Sequence, residues 1–525
     1  MKKIKIFLCD LIHDSFRTRE DWNSVPLNIG FIGAFLKREV GDSVDLALFK
    51  YPQKLIETMK TDIPDVIGFS FYTWNQELVL FIAGKIKQAH PDVLIVLGGP
   101  NIDTTEEFLT NFFISNPQID YYIPYEGEET FMELVKAYMA NKDIGKLKRT
   151  KIMGVATYTD ELNYTDKSKL PRSKDLTYPS PYLTGLLDEF VKDPFLYPLF
   201  ETNRGCPFSC TFCTWGVSVL SKMRRWPLEQ VMGEFEYVYN NGAHQPCWLF
   251  ADSNFGMYER DLDIAKRIKE ISNRSNGPKK IQAWNSKNSA KRNIKIADIL
   301  GNINGFLVAF QSLDDDVLKH MKRSNIKEKD LLEIVTHFRD KEANVETDIL
   351  VGSPGETYHS HIKTLRKCFD YDIRWIRLIN IRMIAGSEMA SKESREKFDI
   401  RTKYRLNKDA YGKYYGEWVI DPEEIIQGTN TMSEEEMLKI KPVHFFIWLF
   451  WNIGLLKPML LVAMECEVNP LDIILGLVEN KHNISPEFVK ILDDYNDESS
   501  KELFETKEEL VTFYKKQENI EEILK

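Results

Sequence analysis

The chain has 525 residues, 43% of them hydrophobic and 28% charged, with 27 Gly and 22 Pro; those proportions exclude a disordered, collagenous or coiled-coil protein. Its 69 basic and 79 acidic residues leave a net charge of −10, which speaks against a broad basic surface for nucleic acid. Seven cysteines are too few for a disulfide scaffold, and three of them fall within eight residues, the clustering expected of a metal centre rather than of staples.

The opening MKKIKIFLCD carries basic residues but only a short apolar run that ends at an acid. It lacks the long apolar stretch and cleavage site of a signal peptide, so a first β-strand and a cytoplasmic location are expected. Strand-like runs over 4–9, 44–49, 65–71, 93–97 and 119–123 alternate with helical patterns such as 27–40, 76–90 and 128–140. Continuous apolar strands between helices predict a parallel sheet covered on both faces. Residues 1–142 therefore read as a flavodoxin/Rossmann-like, doubly wound domain with its ligand site beyond the C-terminal strand ends. Ser70-Phe71-Tyr72-Thr73-Trp74-Asn75 and Gly98-Gly99-Pro100 fall there.

Residues 143–198 are polar and broken by Pro171, Pro179 and Pro181, the pattern of a connector that wraps a surface or covers a site. Strand–helix alternation resumes at Leu199 and gives six units up to residue 390, with strands expected over 199–202, 247–251, 281–284, 305–310, 345–351 and 375–381. Six such units predict a partial (β/α)6 barrel of the TIM type, with chemistry on the loops after the strands. Residues 391–525 predict a mainly helical region closed by a charged amphipathic helix. Residues 443–464 are long enough to span a bilayer by length alone, but Lys457 and Pro458 interrupt them. A buried or groove-forming helical pair is expected there, with membrane-surface contact as the other reading and no transmembrane span. The aromatic stripe of Phe445, Phe446, Trp448 and Trp451 is expected to pack in a core or, second, to wall an apolar substrate.

The most specific signal is Cys206-Pro-Phe-Ser-Cys210-Thr-Phe-Cys213. Thiolates on one loop suit iron–sulfur clusters or zinc. A structural zinc usually takes four ligands in two pairs, whereas Cys9, Cys247, Cys368 and Cys466 are scattered. Three ligands fit a cubane cluster with one iron left open; a zinc completed by a distant His or Cys, in a binding protein, is the rival.

The CxxxCxΦC loop after a strand, with Phe212 before the last Cys, resembles the radical S-adenosylmethionine (SAM) superfamily. That resemblance implies a [4Fe–4S] cluster on Cys206, Cys210 and Cys213, with SAM on the fourth iron. It extends along the chain. Asp252, ending Trp248-Leu-Phe-Ala-Asp252, matches the segment that meets the SAM amino group, with Ser253 where many relatives have a second acid. Gln311-Ser312 matches a strand-4 segment that usually carries Glu. Arg323 matches a basic position suited to the SAM carboxylate. Gly352 and Gly355 match a glycine-rich turn after strand 5. The resemblance thus implies SAM contacts from Phe212, Asp252, Gln311, Ser312, Arg323, Gly352 and Gly355.

The N-terminal region is similar to the cobalamin-binding domain found ahead of many radical SAM cores. Pro26-Leu27-Asn28-Ile29-Gly30, Gly68-Phe69-Ser70, Leu97-Gly98-Gly99-Pro100 and Tyr125-Glu126-Gly127-Glu128 match its landmarks. Ser70, Tyr72, Trp74, Asn75, Gly98, Gly99, Glu126 and Gly127 are then the implied cobalamin contacts, with Trp74 or Asn75 against the lower cobalt face. Relatives that ligate cobalt use a DxHxxG loop after strand 1. Here the loop reads Asp10-Leu-Ile-His13-Asp14-Ser15-Phe16, with the His displaced and the Gly missing. His13 is therefore expected at the surface or in a capping role, and His359 and His361, at i and i+2 on one helix and so pointing apart, are expected at the surface.

The resemblance implies a radical SAM enzyme with [4Fe–4S], SAM and cobalamin as cofactors, methylating an unactivated carbon of a small molecule and drawing electrons from a donor such as flavodoxin or ferredoxin. Its alternative is a rearranging, cyclising or epimerising radical SAM enzyme in which the N-terminal domain is a scaffold without corrinoid.

Overall fold

The computed structural model of the chain describes residues 3–17, 23–166, 175–217, 220–287, 289–303, 306–339 and 345–516. Pro171, Gly305 and the last nine residues of the expected C-terminal helix lie outside that set.

Five parallel strands, β1 (Ile4–Cys9), β2 (Val44–Phe49), β3 (Val66–Ser70), β4 (Leu94–Gly99) and β5 (Tyr121–Pro124), run in the order β2-β1-β3-β4-β5. Their near-continuous burial follows from helices on both faces. Helices α1 (Leu27–Val40) and α5 (Glu128–Ala140) cover one face through Phe31, Phe35, Phe131 and Leu134. Helices α2 (Pro52–Thr58), α3 (Gln76–Ala89) and α4 (Glu106–Ser115) cover the other through Leu55, Leu78, Ile82 and Leu109. The strand order reverses direction between β1 and β3, the place where such sheets open a crevice. Two short strands, β6 (Ala156–Tyr158) and β7 (Leu162–Tyr164), extend the sheet antiparallel beyond β5. They lie inside the stretch read as a connector, and three-residue strands are too brief to carry a periodicity signal.

The barrel region holds β8 (Leu199–Phe200), an antiparallel clip of β9 (Asn203–Arg204) with β10 (Arg224–Arg225), then β11 (Cys247–Phe250), β12 (Lys280–Gln282), β13 (Phe306–Leu307), β14 (Val345–Val351) and β15 (Trp375–Asn380). These form two parallel sheets, β12-β11-β8 and β13-β14-β15. The first half of the barrel shares a core with the N-terminal sheet: Phe31 of α1 stacks on Trp226 with ring centres 4.4 Å apart.

The C-terminal region is mainly helical, but after a short helix at Lys392–Lys397 it holds a long antiparallel hairpin of β16 (Arg401–Tyr414) and β17 (Glu417–Gly428). The hairpin reaches back to the first strand. Asp421 accepts from His13 Nε2 at 2.6 Å and from the amides of Glu77 and Leu78, at 2.7 and 3.1 Å, in the first turn of α3. His13 is thus buried, not at the surface, and its Nδ1 faces the Tyr414 hydroxyl at 3.2 Å. His361 is buried too, between Glu356 and His444 at 2.8 Å each, while His359 is exposed. Both corrections have one cause: Asp421 and His444, which complete the burial of these imidazoles, lie 408 and 83 residues away in sequence.

The aromatic stripe divides. Trp451 is buried and donates to Ile373 O at 3.0 Å, whereas Trp448 is half exposed. Beside Trp451, the Asn452 carboxamide pairs with both the N–H and C=O of Ile376 on the edge strand β15, at 3.0 and 2.8 Å. Among the described residues no single helix is long and apolar enough to cross a membrane; Glu434–Asn452 and Lys457–Glu465 pass only as a pair, bent by 91°.

Candidate functional site

The cysteine loop leaves the barrel after β9 and is closed by the β9–β10 clip. Gly205 starts it at φ 102°, where a Cβ would sit 2.5 Å from Lys222 O; only glycine fits that approach. The loop is then pinned across the barrel: Thr211 N donates to Met321 O at 3.1 Å, and Met389 N to Thr211 O at 2.8 Å. None of the seven cysteines is in a disulfide. Cys206, Cys210 and Cys213 all line a cavity of about 750 Å³ at the strand ends. Cys206 Sγ accepts from Asn254 Nδ2 at 3.3 Å. Cys210 Sγ has two cations beside it, Lys287 Nζ at 3.7 Å and Arg323 Nη1 at 3.8 Å.

Of the SAM contacts expected from sequence, Phe212, Asp252, Gln311 and Arg323 line this cavity. Gln311 is held at φ 67°, a strained setting for a residue with a side chain, between backbone bonds to Asp348 O and Leu350 N. Its buried Oε1 makes no hydrogen bond within the described residues. Asp252 is fully buried, and its carboxyl accepts from Thr202 N and Oγ1 and from Asn203 N. Burial pushes that carboxyl up to about 7, against the pull of those donors. Arg323 spends its guanidinium on Phe310 O, Ala309 O and Asn325 Oδ1. Ser312 is buried behind the wall, its hydroxyl accepting from Asp314 N at 3.2 Å. Gly352 and Gly355 lie off the cavity; a Cβ on Gly352 would meet Ile426 of β17 and one on Gly355 would meet His320.

Sequence reasoning did not find Asn254, Asn285, Lys287 and Asn293, which also line the cavity. Both amide atoms of Asn285 and the Asn293 oxygen are buried without a hydrogen-bond partner in the described residues. Asn285 and Lys287 follow β12, and a polar run after a barrel strand was the available signal. Burial, with Arg323 beside it, pushes the Lys287 amine down to about 8 although the Cys210 and Cys206 thiols act the other way. Thiols, cations and unpartnered amides form a donor set that fits a cysteine-ligated cluster carrying a zwitterionic cofactor.

A second cavity, of about 700 Å³, opens at the β1/β3 crevice. Ser70, Tyr72, Trp74, Gly98, Gly99, Glu126 and Gly127 line it. Asn75 does not: it is fully buried, its amide donating to Leu11 O and accepting from Tyr72 N. Tyr72 stacks on Trp74, with ring centres 4.5 Å apart. Asn28 Nδ2 gathers the floor, donating to Ser70 Oγ at 2.8 Å, Tyr72 Oη at 3.1 Å and Asp10 Oδ1 at 3.3 Å. Asp10 in turn takes a buried ion pair from Lys50 at 2.8 Å. Glu126 pairs with Arg224 of the clip. Gly98 leaves open floor, since a Cβ there would come no closer than 3.5 Å to any neighbour. Room and small residues fit a bulky planar cofactor with a tail. The two cavities share Ser24, Leu199, Trp215 and Ala251 in their walls.

Residues 21–135 match the B12 binding domain family, and residues 200–368 match the radical SAM superfamily. The chain is a radical SAM protein with an N-terminal B12-binding domain. A radical SAM domain implies a [4Fe–4S] cluster and SAM, and the B12-binding domain implies cobalamin. This radical SAM protein is 29% identical over 392 residues to the 2-(S-pantetheinyl)-carbapenam-3-carboxylate methyltransferase of Streptantibioticus cattleyicolor, covering 71% of this chain and 55% of the relative. It is 30% identical over 355 residues to the cobalamin-dependent radical SAM methyltransferase TokK of Streptomyces tokunonensis, covering 65% of this chain and 50% of that one. The chain thus spans about half the length of these curated relatives. Its fold is that of the cobalamin-dependent SAM radical enzyme OxsB, at TM-score 0.58 and 15% identity over 100% of this chain and 78% of that one. The radical SAM methyltransferase TsrM of Kitasatospora setae follows at TM-score 0.55 and 15% identity, covering 78% and 81%.

Proposed function

We propose that the protein is a cobalamin-dependent radical SAM methyltransferase acting on a carbon of a small molecule. The observation that carries this reading is the shared wall: Ser24, Leu199, Trp215 and Ala251 border both the cysteine cavity and the B12-domain cavity. One substrate is then within reach of both cofactors, which proximity catalysis requires. Residues 1–142 hold cobalamin, residues 199–390 hold the cluster and SAM, and residues 391–525 close the site; residues 143–198 join the first two.

Cys206, Cys210 and Cys213 hold the cluster. When bound, the cofactors supply a reductively generated 5′-deoxyadenosyl radical and a transferable methyl group. The chain supplies the setting. Gln311 Oε1, Asn285 and Asn293 offer unpartnered polar atoms to the ribose and methionyl groups of SAM. Arg323 and Lys287 favour its carboxylate. Asp252 holds the end of β8 through Thr202 and Asn203, so it shapes the SAM cavity more than it binds across it. On the corrinoid side, Ser70, Tyr72 and Gly98 floor the crevice, and Trp74 with Tyr72 gives a stacked aromatic face. His13 is committed to Asp421, which supports a corrinoid bound without a protein imidazole on cobalt. The electron donor is a separate flavodoxin- or ferredoxin-type protein.

The test is anaerobic reconstitution with iron, sulfide and cobalamin, followed by turnover with SAM and candidate substrates. Product heavier by one methylene, with 5′-deoxyadenosine formed and corrinoid retained, is the expected result. Deoxyadenosine formed at full rate with no corrinoid bound would assign the N-terminal domain to the scaffold role instead.

A further inference from the structure

We propose that Lys287, with Arg323, tunes the bound cluster, placing positive charge at its Cys210 side and raising its reduction potential. The inference rests on the proposed cluster site and adds a residue that the sequence motifs do not mark.

The three cysteines have unlike surroundings. Cys206 receives a neutral amide from Asn254 at 3.3 Å. Cys210, buried in the wall, faces two cations within 3.8 Å. Arg323 is anchored by two backbone carbonyls and Asn325, so its charge is fixed in place. Lys287 has looser tethers: its other close partner is the face of Phe208, 4.7 Å from the ring centre. Asp348, a carboxylate of the cavity wall that acts on Arg323, is paired with Arg377 at 2.6 Å. Around Cys210 the two cations therefore face the sulfur directly, while Asp348, the carboxylate acting on Arg323, divides its charge between Arg323 and Arg377. Cluster potentials follow net charge, hydrogen bonds to sulfur and exposure. A fixed cation in a dry wall stabilises the added electron far more than one in water does. Reduction takes one electron from a one-electron donor and neither makes nor breaks a bond, so Lys287 acts here through charge alone. It is a tuning residue, not a catalytic one.

The experiment is a redox titration of the anaerobically reconstituted full chain, followed by electron paramagnetic resonance, with dithionite as donor and SAM absent. Lys287→Met should load the same iron and sulfide as wild type yet titrate at a more negative potential. The expected shift is about tenfold in the reduction equilibrium, or ~59 mV for one electron. Lys287→Arg should return the midpoint towards wild type, and Phe208→Leu, which removes the ring but not the charge, should leave it unmoved. An unchanged midpoint in a fully loaded Lys287→Met protein overturns the proposal. If that variant loads no cluster, Lys287→Gln is titrated in its place under the same criterion. Failure of both to load, with wild type loading normally, makes Lys287 an assembly residue and also overturns it. Wild type that holds zinc or no cluster removes the proposed function itself, a result distinct from an unmoved midpoint.

Discussion

Gly98 offers a sharp test of the corrinoid crevice, because its neighbour Gly99 provides an internal control. At Gly98 a Cβ would lie 3.5 Å from Ile123 O and 3.9 Å from Ile123 Cβ, which is ordinary contact. The residue sits in the β4 ladder opposite Ser70 and Ile123, so valine suits the backbone there. Gly98→Val should therefore fold, with its two methyl groups standing in the cavity that Gly98 lines. Forcing extra methylenes into a filled site costs about 1–3 kcal/mol, or roughly 5- to 150-fold in binding. Gly99 differs: at φ 151° its Cβ would stand 2.5 Å from Phe71 O, which is backbone and has nowhere to go. Gly99→Ala should lower the melting temperature before it reports on any ligand. The assay is spectrophotometric titration of the apoprotein with hydroxocobalamin, alongside thermal unfolding and iron content. A Gly98→Val protein with wild-type melting and wild-type cobalamin affinity would refute the placement of the corrinoid over this strand end.

Three further outcomes are expected. Cys210→Ala should leave the fold intact but lose the iron and sulfide of the cluster and all SAM cleavage, read by metal analysis and deoxyadenosine yield. Asp421→Ala removes a buried acceptor of three hydrogen bonds and strands His13 in the core; unfolding by urea should show a loss of about 3–5 kcal/mol. Glu234, pushed up to about 7 by burial from an ordinary 4.5, keeps its proton in the folded chain where the unfolded chain releases it. Its contribution to stability is complete below about pH 4.5 and falls as pH rises towards 7, by at most about 1.4 kcal/mol per unit; Glu234→Gln should flatten that part of the stability profile.

Much of the fold was readable from pattern. The bounds of β1, α1, β2, α5 and β14 coincide with the runs read from sequence, because each is either a compact, largely apolar strand or a helix of 13 or 14 residues with an apolar face. The cysteine loop was readable because its three cysteines fall within eight residues. What escaped depends on contacts remote in sequence. In the β16–β17 hairpin the first strand is rich in Arg, Lys and Tyr and the second carries three Glu, an Asp and a Pro, so it lacks the apolar alternation of a half-buried sheet. His13 and His361 look like surface residues until Asp421 and His444 fold onto them. Asn285, Lys287 and Asn293 sit in an unremarkable polar stretch, and only the closing of the barrel turns them towards the cysteines. Gly352 and Gly355 show the reverse: their positive φ values, 91° and 81°, explain glycine there through backbone and packing.

The fastening of residue 13 to residue 421 also ties the N-terminal domain to the C-terminal hairpin. A hinge that parted the B12 domain from the rest would have to break the Asp421 contacts and draw Gly386 away from the backbone of Pro100 and Ile102, against which it is pressed. Exchange through a wide opening of the domains is thus the costly route. Trp284 and Trp74, one on each cavity, are still 45% and 40% exposed, so each cavity meets solvent beside an indole ring. Side-chain rotation is faster by orders of magnitude than domain separation. On the proposed function, access to either cavity would then be set by side chains at its rim, within a frame that stays shut.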